Sequence, residues 1–199
     1  MPHIHAPPGR PPSRPGPRAG YSLAELMVVV VIIGIALALA APRVNLSRTR
    51  TEAAVHTVAS ALMAAQRAAV GGQHDVVVAF DAAQGRLRIH HDVDNDGVMD
   101  GGERVRWEPL GRGVTFGRGS AGTLSQLGAG PVSFTRTQGG LRAVTFSRSG
   151  SASEEGGAYL ATAGTATPPA SASRAVVVDR ATGRAVAWRY TPSGWQRRS

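Results

Sequence analysis

The distribution of apolar positions divides the chain into three stretches. From Leu26 to Ala41, sixteen consecutive residues carry no polar side chain. Taken as helix from Tyr21 to Ala41, this run of 21 residues is about 31 Å long at 1.5 Å per residue. That length matches a hydrocarbon core of about 30 Å. Val and Ile fall on every face, unlike a helix with one buried stripe. An ordinary secretory signal fits poorly, because the apolar run is too long. Pro42 removes one amide donor and crowds the turn before it, so a bend is expected there. Beyond it, Val55, Val58, Leu62, Ala65 and Ala69 recur at three- and four-residue spacing, with Arg48, Arg50, Glu52, Gln66 and Arg67 at other positions. Gly71-Gly72 is a stop signal. The pattern predicts one helix, bent at Pro42, from about Ser22 to Val70.

The period then changes from helical to alternating. Asp75–Phe80, Arg86–His91, Arg104–Trp107, Val114–Phe116, Val132–Thr135, Leu141–Phe146, Ala158–Ala161, Ala175–Asp179 and Ala185–Tyr190 have the composition of short strands. Asp81-Ala82-Ala83-Gln84-Gly85 is a turn, and Ala181-Thr182-Gly183 closes the last predicted hairpin. Gly164–Ser173, with Pro168-Pro169, is expected to be a loop crossing between sheets. The predicted fold class is α+β: a long N-terminal transmembrane/amphipathic α-helix packed on a C-terminal antiparallel β-sheet, sandwich-like head. The expected domains are a disordered segment 1–20, a transmembrane half-helix 21–42, an amphipathic half-helix 43–72 and a β-rich head 73–199.

Composition adds exclusions. The 199 residues contain no cysteine, which rules out disulfides, thiolate zinc sites and cysteine nucleophiles. All 22 basic residues are arginine, set against 13 acids, for a formal net charge of +9. Residues 1–20 hold seven of the 13 prolines, three of the arginines and no acid, a composition that builds neither helix nor core. No Ser/His/Asp arrangement has an elbow or oxyanion signature, and no glycine loop sits between a strand and a helix to hold a nucleotide. No enzyme is expected. His90-His91 resembles a pair of metal ligands, but successive strand residues point to opposite faces and cannot readily reach one ion.

Glu25 interrupts the apolar pattern near its start. A carboxylate there is costly and needs either solvent at the headgroup level or a cationic partner. The stretch Arg18-Ala19-Gly20-Tyr21-Ser22-Leu23-Ala24-Glu25-Leu26 resembles the type III signal of type IV pilins and type II secretion pseudopilins. The resemblance implies that a prepilin peptidase cuts after Gly20, that Tyr21 becomes the methylated N-terminus, and that Glu25 pairs with the ammonium of a neighbouring subunit during assembly. Tyr21 stands where the family usually has Phe or Met. Gly34 and Pro42 also match positions at which pilin helices commonly carry Gly and Pro. Further on, Val144-Thr145-Phe146-Ser147-Arg148-Ser149-Gly150 and Val176-Val177-Val178-Asp179-Arg180-Ala181-Thr182-Gly183-Arg184 are similar to the paired C-terminal motifs of the GspH/FimT branch. That similarity implies a minor pseudopilin of a type II secretion system, at or near the pseudopilus tip. Such a protein is a single-pass inner-membrane protein with its head in the periplasm. Its expected partners are other pseudopilins, the peptidase and a secreted substrate.

Two clusters of charge remain. Asp92-Val93-Asp94-Asn95-Asp96-Gly97-Val98-Met99-Asp100-Gly101-Gly102-Glu103 matches the twelve-residue calcium loop, D-x-D-x-D-G-x5-E. Asp92, Asp94 and Asp96 offer hard oxygens, Val98 a carbonyl, Asp100 a water-mediated contact and Glu103 a bidentate carboxylate. The flanks, however, are strands rather than helices. The alternative is a hairpin loop whose side chains cap backbone amides without any metal. Both readings stand on the sequence. If residues 1–20 are a prepilin leader, as the resemblance implies, its loss leaves 19 basic residues against 13 acidic, and Arg184, Arg189, Arg197 and Arg198 then form part of a late basic cluster. A solvated cationic face accounts for it; the alternative, implied by the FimT likeness, is DNA binding, which strengthens with each phosphate neutralised.

Overall fold

The computed structural model describes residues 22–40, 46–164 and 166–198. The chain divides into two compact units, Met1–Val44 and Asn45–Ser199. In the first, α1 spans Leu23–Ala40. Ser22 caps it, its hydroxyl oxygen accepting the Glu25 amide at 3.2 Å, which satisfies one of the free donors of the first turn. Every described side chain of α1 is exposed. Among the described residues no helix is long and apolar enough to cross a membrane. The 18 residues of α1 give about 27 Å, a few ångströms below a hydrocarbon core. The predicted bend at Pro42 and residues 1–20 lie outside the described residues.

The second unit opens with α2, Leu46–Gly72, ending at the predicted glycine pair. Its apolar stripe is the one read from the spacing: Val55, Val58, Leu62, Ala65 and Ala69 are all buried. Ten strands follow. The first sheet contains β1 (Asp75–Asp81), β2 (Arg86–Asp92), β3 (Val105–Pro109), β5 (Thr137–Gln138) and β6 (Leu141–Phe146), in the order β3-β2-β1-β6-β5. The second contains β4 (Val114–Phe116), β7 (Gly156–Thr162), β8 (Arg174–Val178), β9 (Ala185–Thr191) and β10 (Gly194–Arg197), in the order β10-β9-β8-β7-β4. Every pairing is antiparallel.

One core joins α2 to the inner faces of both sheets. Val76, Val78, Phe80, Leu87, Ile89, Val144 and Phe146 enter it from the first sheet, and Ala158, Leu160, Val176 and Val178 from the second. β7 and β8 are buried along nearly their whole length, as strands covered on both sides should be. Their outer cover is the segment carrying Leu124 and Leu127, which packs with Tyr159, Ala175 and Val177. The Tyr159 hydroxyl accepts the Leu124 amide at 2.7 Å and donates to the Gly128 carbonyl at 2.9 Å.

Three expectations are corrected. Val132–Thr135 is no strand and makes only an isolated bridge, Val132 to Ala158. The amides of Thr135 and Arg136 donate to the Glu154 carboxylate at 2.9 and 3.0 Å, so a side chain replaces the ladder. Gly164–Ser173 does not cross between sheets: it returns from β7 to its antiparallel neighbour β8, through a 3-10 turn at Ala170–Ala172. The last predicted hairpin is followed by another, because β10 pairs with β9.

Candidate functional site

The acidic loop leaves β2 at Asp92, and Asp92 follows the strand's alternation. In the register Val77 lies opposite His90 and Val76 opposite His91, so His90 and Asp92 share the outer face while His91 lies on the inner one. The two histidines therefore separate, as alternation required. His90 is fully buried because β5 closes over it. Gln138 donates to His90 Nδ1 at 3.1 Å and to the Gly97 carbonyl at 3.0 Å. An amide nitrogen only donates, so Nδ1 accepts. His90 Nε2 then carries the hydrogen shared with Glu103 Oε2, 2.5 Å away.

The rest of the loop is organised by carboxylates accepting amides. Glu103 takes Val93 N–H at 2.8 Å and Asp100 N–H at 3.0 Å. These donors, Asp100 first and then His90, hold the Glu103 carboxyl down at about 2. Asp92 accepts Asp96 and Gly97 N–H at 3.1 and 2.9 Å, and Asp96 accepts Val98 N–H at 2.6 Å. Burial pushes the Asp92 carboxyl up, against the stabilising Gly97 amide, and the nearby Glu103 charge adds to the rise. Gly97 turns at φ 78°, a left-handed conformation that suits glycine.

Of the six candidate ligands, Asp92, Asp94 and Asp96 are brought together, with one oxygen from each lying within 4.8 Å of the others. Hard oxygens so grouped fit calcium chemistry. Glu103 instead faces His90 and two amides. Val98 and Asp100 each have their N–H engaged by a loop carboxylate.

The basic cluster is partly assembled. Arg184, Arg197 and Arg198 line an open cavity of about 520 Å³ with His56 and Met63 of α2; Arg189 does not line it. Arg198 is already engaged, pairing with Glu52 and lying 3.1 Å from His56 Nε2. Glu52 also receives Arg174 Nε at 2.6 Å, a guanidinium whose pKa burial holds below the usual value. Arg174 and Arg198 are thus paired internally with Glu52 of α2.

The paired late motifs meet in space, which their separation in the chain does not disclose. Gln66 of α2 donates to the Gly150 carbonyl at 3.1 Å and the Thr182 carbonyl at 2.7 Å. Gly183 turns at φ 63°, and a Cβ on it would come within 2.2 Å of the Gly150 carbonyl. Ala152 N–H donates to the Arg180 carbonyl at 2.9 Å. Gln66 and Gln138 are not marked as site residues by the sequence, and His90 is considered there only as a metal ligand beside His91. Polarity on a nominally solvent-facing side of the helix or strand was the available signal, and it does not report what covers that face.

Glu25 stands exposed in the first turn of α1; Gly20 and Tyr21 lie outside the described residues. The family description of a prokaryotic N-terminal methylation motif matches residues 17–41. No match is found among curated proteins. Among solved structures, the chain is similar to the minor pseudopilin EpsH from the type 2 secretion system of Vibrio cholerae. Identity is 12%, covering 75% of this chain and 94% of that one, with a TM-score of 0.38. The chain thus carries a prokaryotic N-terminal methylation motif over residues 17–41, followed in sequence by an α+β head.

Proposed function

We propose that this chain is a minor pseudopilin of a type II secretion system, a structural subunit and not an enzyme. The observation that carries the reading is the methylation motif at 17–41 continued by an apolar α1 whose one acid, Glu25, lies in its first turn. In this reading prepilin peptidase cuts after Gly20 and Tyr21 is methylated. The apolar helix is held in the inner membrane, with the head in the periplasm, until the subunit is built in at or near the pseudopilus tip. Glu25 then pairs with the new ammonium of a neighbouring subunit, since a carboxylate amid hydrocarbon needs a cationic partner. Other pseudopilins and a secreted substrate are the partners.

The test is co-expression with a prepilin peptidase, followed by mass spectrometry and pseudopilus isolation. The expected product begins at Tyr21, and Glu25→Ala is cut normally yet fails to assemble. No cleavage at Gly20 overturns the reading, and wild-type incorporation of Glu25→Ala removes the pairing role.

A second reading is DNA binding in a FimT-like minor pilin through Arg184, Arg189, Arg197 and Arg198. It is favoured by three of these lining one cavity. Calcium at Asp92, Asp94 and Asp96 is compatible with either reading and is supported by the convergence of their oxygens.

A further inference from the structure

His74 follows directly on the end of α2, and its ring folds back over that end. A Cβ on Gly72 would come within 2.3 Å of His74 Cε1 and 2.5 Å of Nδ1, so the glycine leaves the space the imidazole occupies. His74 Nδ1 lies 3.0 Å from the Gly72 carbonyl. A carbonyl only accepts, so Nδ1 carries the hydrogen and Nε2 of the neutral ring presents a lone pair. That lone pair faces His91 Nδ1 at 3.1 Å, with the two rings inclined at 42°. Both residues are half-buried and remain within reach of solvent.

An imidazole whose second nitrogen is fixed by a backbone carbonyl is oriented as metal-ligating histidines usually are. Two nitrogens 3.1 Å apart, each about 2.05 Å from one ion, subtend roughly 98°. This lies between the square-planar and tetrahedral values. We propose that His74 and His91 form a binding site for a late first-row divalent cation, completed by solvent. Imidazole pairs suit Cu²⁺, Ni²⁺ and Zn²⁺, with Cu²⁺ bound most tightly. Calcium, which takes oxygen ligands, is excluded from it. On binding, His91 shifts its hydrogen from Nδ1 to Nε2, so no net proton is released.

The charged surroundings set the affinity. Burial, then His74, Arg104, His90 and Arg106, holds the His91 ring below the ordinary imidazole value. The same two guanidinium groups repel a dication. The site is therefore pre-formed but electrostatically restrained.

The probe is Cu²⁺, titrated into the full chain in detergent micelles and a non-coordinating buffer. His3 and His5, the imidazoles of the leader, are replaced by alanine beforehand. The expected result is one equivalent bound at micromolar Kd, with an electron paramagnetic resonance spectrum showing coupling to two nitrogens. His74→Ala and His91→Ala each weaken binding by about tenfold or more. Arg104→Gln tightens it several-fold, an effect that a merely structural histidine pair does not predict, and excess Ca²⁺ does not compete. An oxygen-only spectrum from the parent chain overturns the site whether or not the histidine variants fold. Affinity unchanged in both folded variants, or none below 100 µM Cu²⁺, overturns it as well.

Discussion

Replacing Gln66 with alanine tests whether the two late motifs form a structural clasp. The Gln66 amide supplies hydrogen bonds to the Gly150 and Thr182 carbonyls, holding both turns against α2. Each bond contributes about 1 kcal/mol net. The loss is therefore about 2 kcal/mol, and for a head of this size it corresponds to a fall in Tm of about 4–8 °C. Gln66→Glu keeps the volume but places a carboxylate against two carbonyls, so it should destabilise at least as much. Thr57→Ala is the control, since its hydroxyl bonds only within α2, to the Ala53 carbonyl, at a half-buried position; a change within about 0.5 kcal/mol is expected. The assay is thermal unfolding followed by tryptophan emission on the full chain in detergent. All three tryptophans, Trp107, Trp188 and Trp195, lie in the head, so the helix in the micelle does not obscure the transition. A Tm shift below 1 °C for Gln66→Ala, or a Gln66→Glu variant as stable as the parent, refutes the clasp.

Calcium at the acidic loop should raise Tm, because a ligand at 100 times its Kd stabilises by about 2.7 kcal/mol; no shift at millimolar Ca²⁺, or a shift that survives Asp94→Asn with Asp96→Asn, rejects that site. Glu154 provides a pH test. Burial raises its carboxyl, but the Arg136 amide and the Thr135 hydroxyl and amide outweigh this and hold it below 4.5. Its contribution is therefore present above pH 4.5 and lost as the pH falls through the lowered value. Glu154→Gln should flatten the Tm-against-pH curve on that acid side, and an unchanged slope sinks the assignment. For DNA, Arg184→Ala with Arg197→Ala should reduce affinity and lower the salt slope by about 2, whereas Arg198→Ala should act mainly on stability through Glu52; equal affinity in all variants removes the DNA reading. A gel or anisotropy titration at several salt concentrations separates these outcomes.

The sequence by itself determined the segments whose burial follows chain spacing. Val55, Val58, Leu62, Ala65 and Ala69 fell inside because a 3.6-residue period places them on one face whatever they meet. The strands at Asp75, Arg86, Val114, Leu141 and Ala185 were legible for the analogous reason. The methylation motif was legible too, being a contiguous signal that needs no folding to be recognised. Only tertiary structure decided the partners. Glu103 was spaced to close a cation loop, yet it faces His90, because β5 arrives from far along the chain to bury that ring. Val132–Thr135 had the composition of a strand, but Glu154 takes the amides of Thr135 and of Arg136 after it. Arg198 belonged to a basic tail until Glu52 of α2 met it. Periodicity reports which side of an element is apolar. The charge, hydrogen bond or ligand that a polar side chain finds depends on residues brought beside it by folding, and sequence spacing carries no measure of that distance.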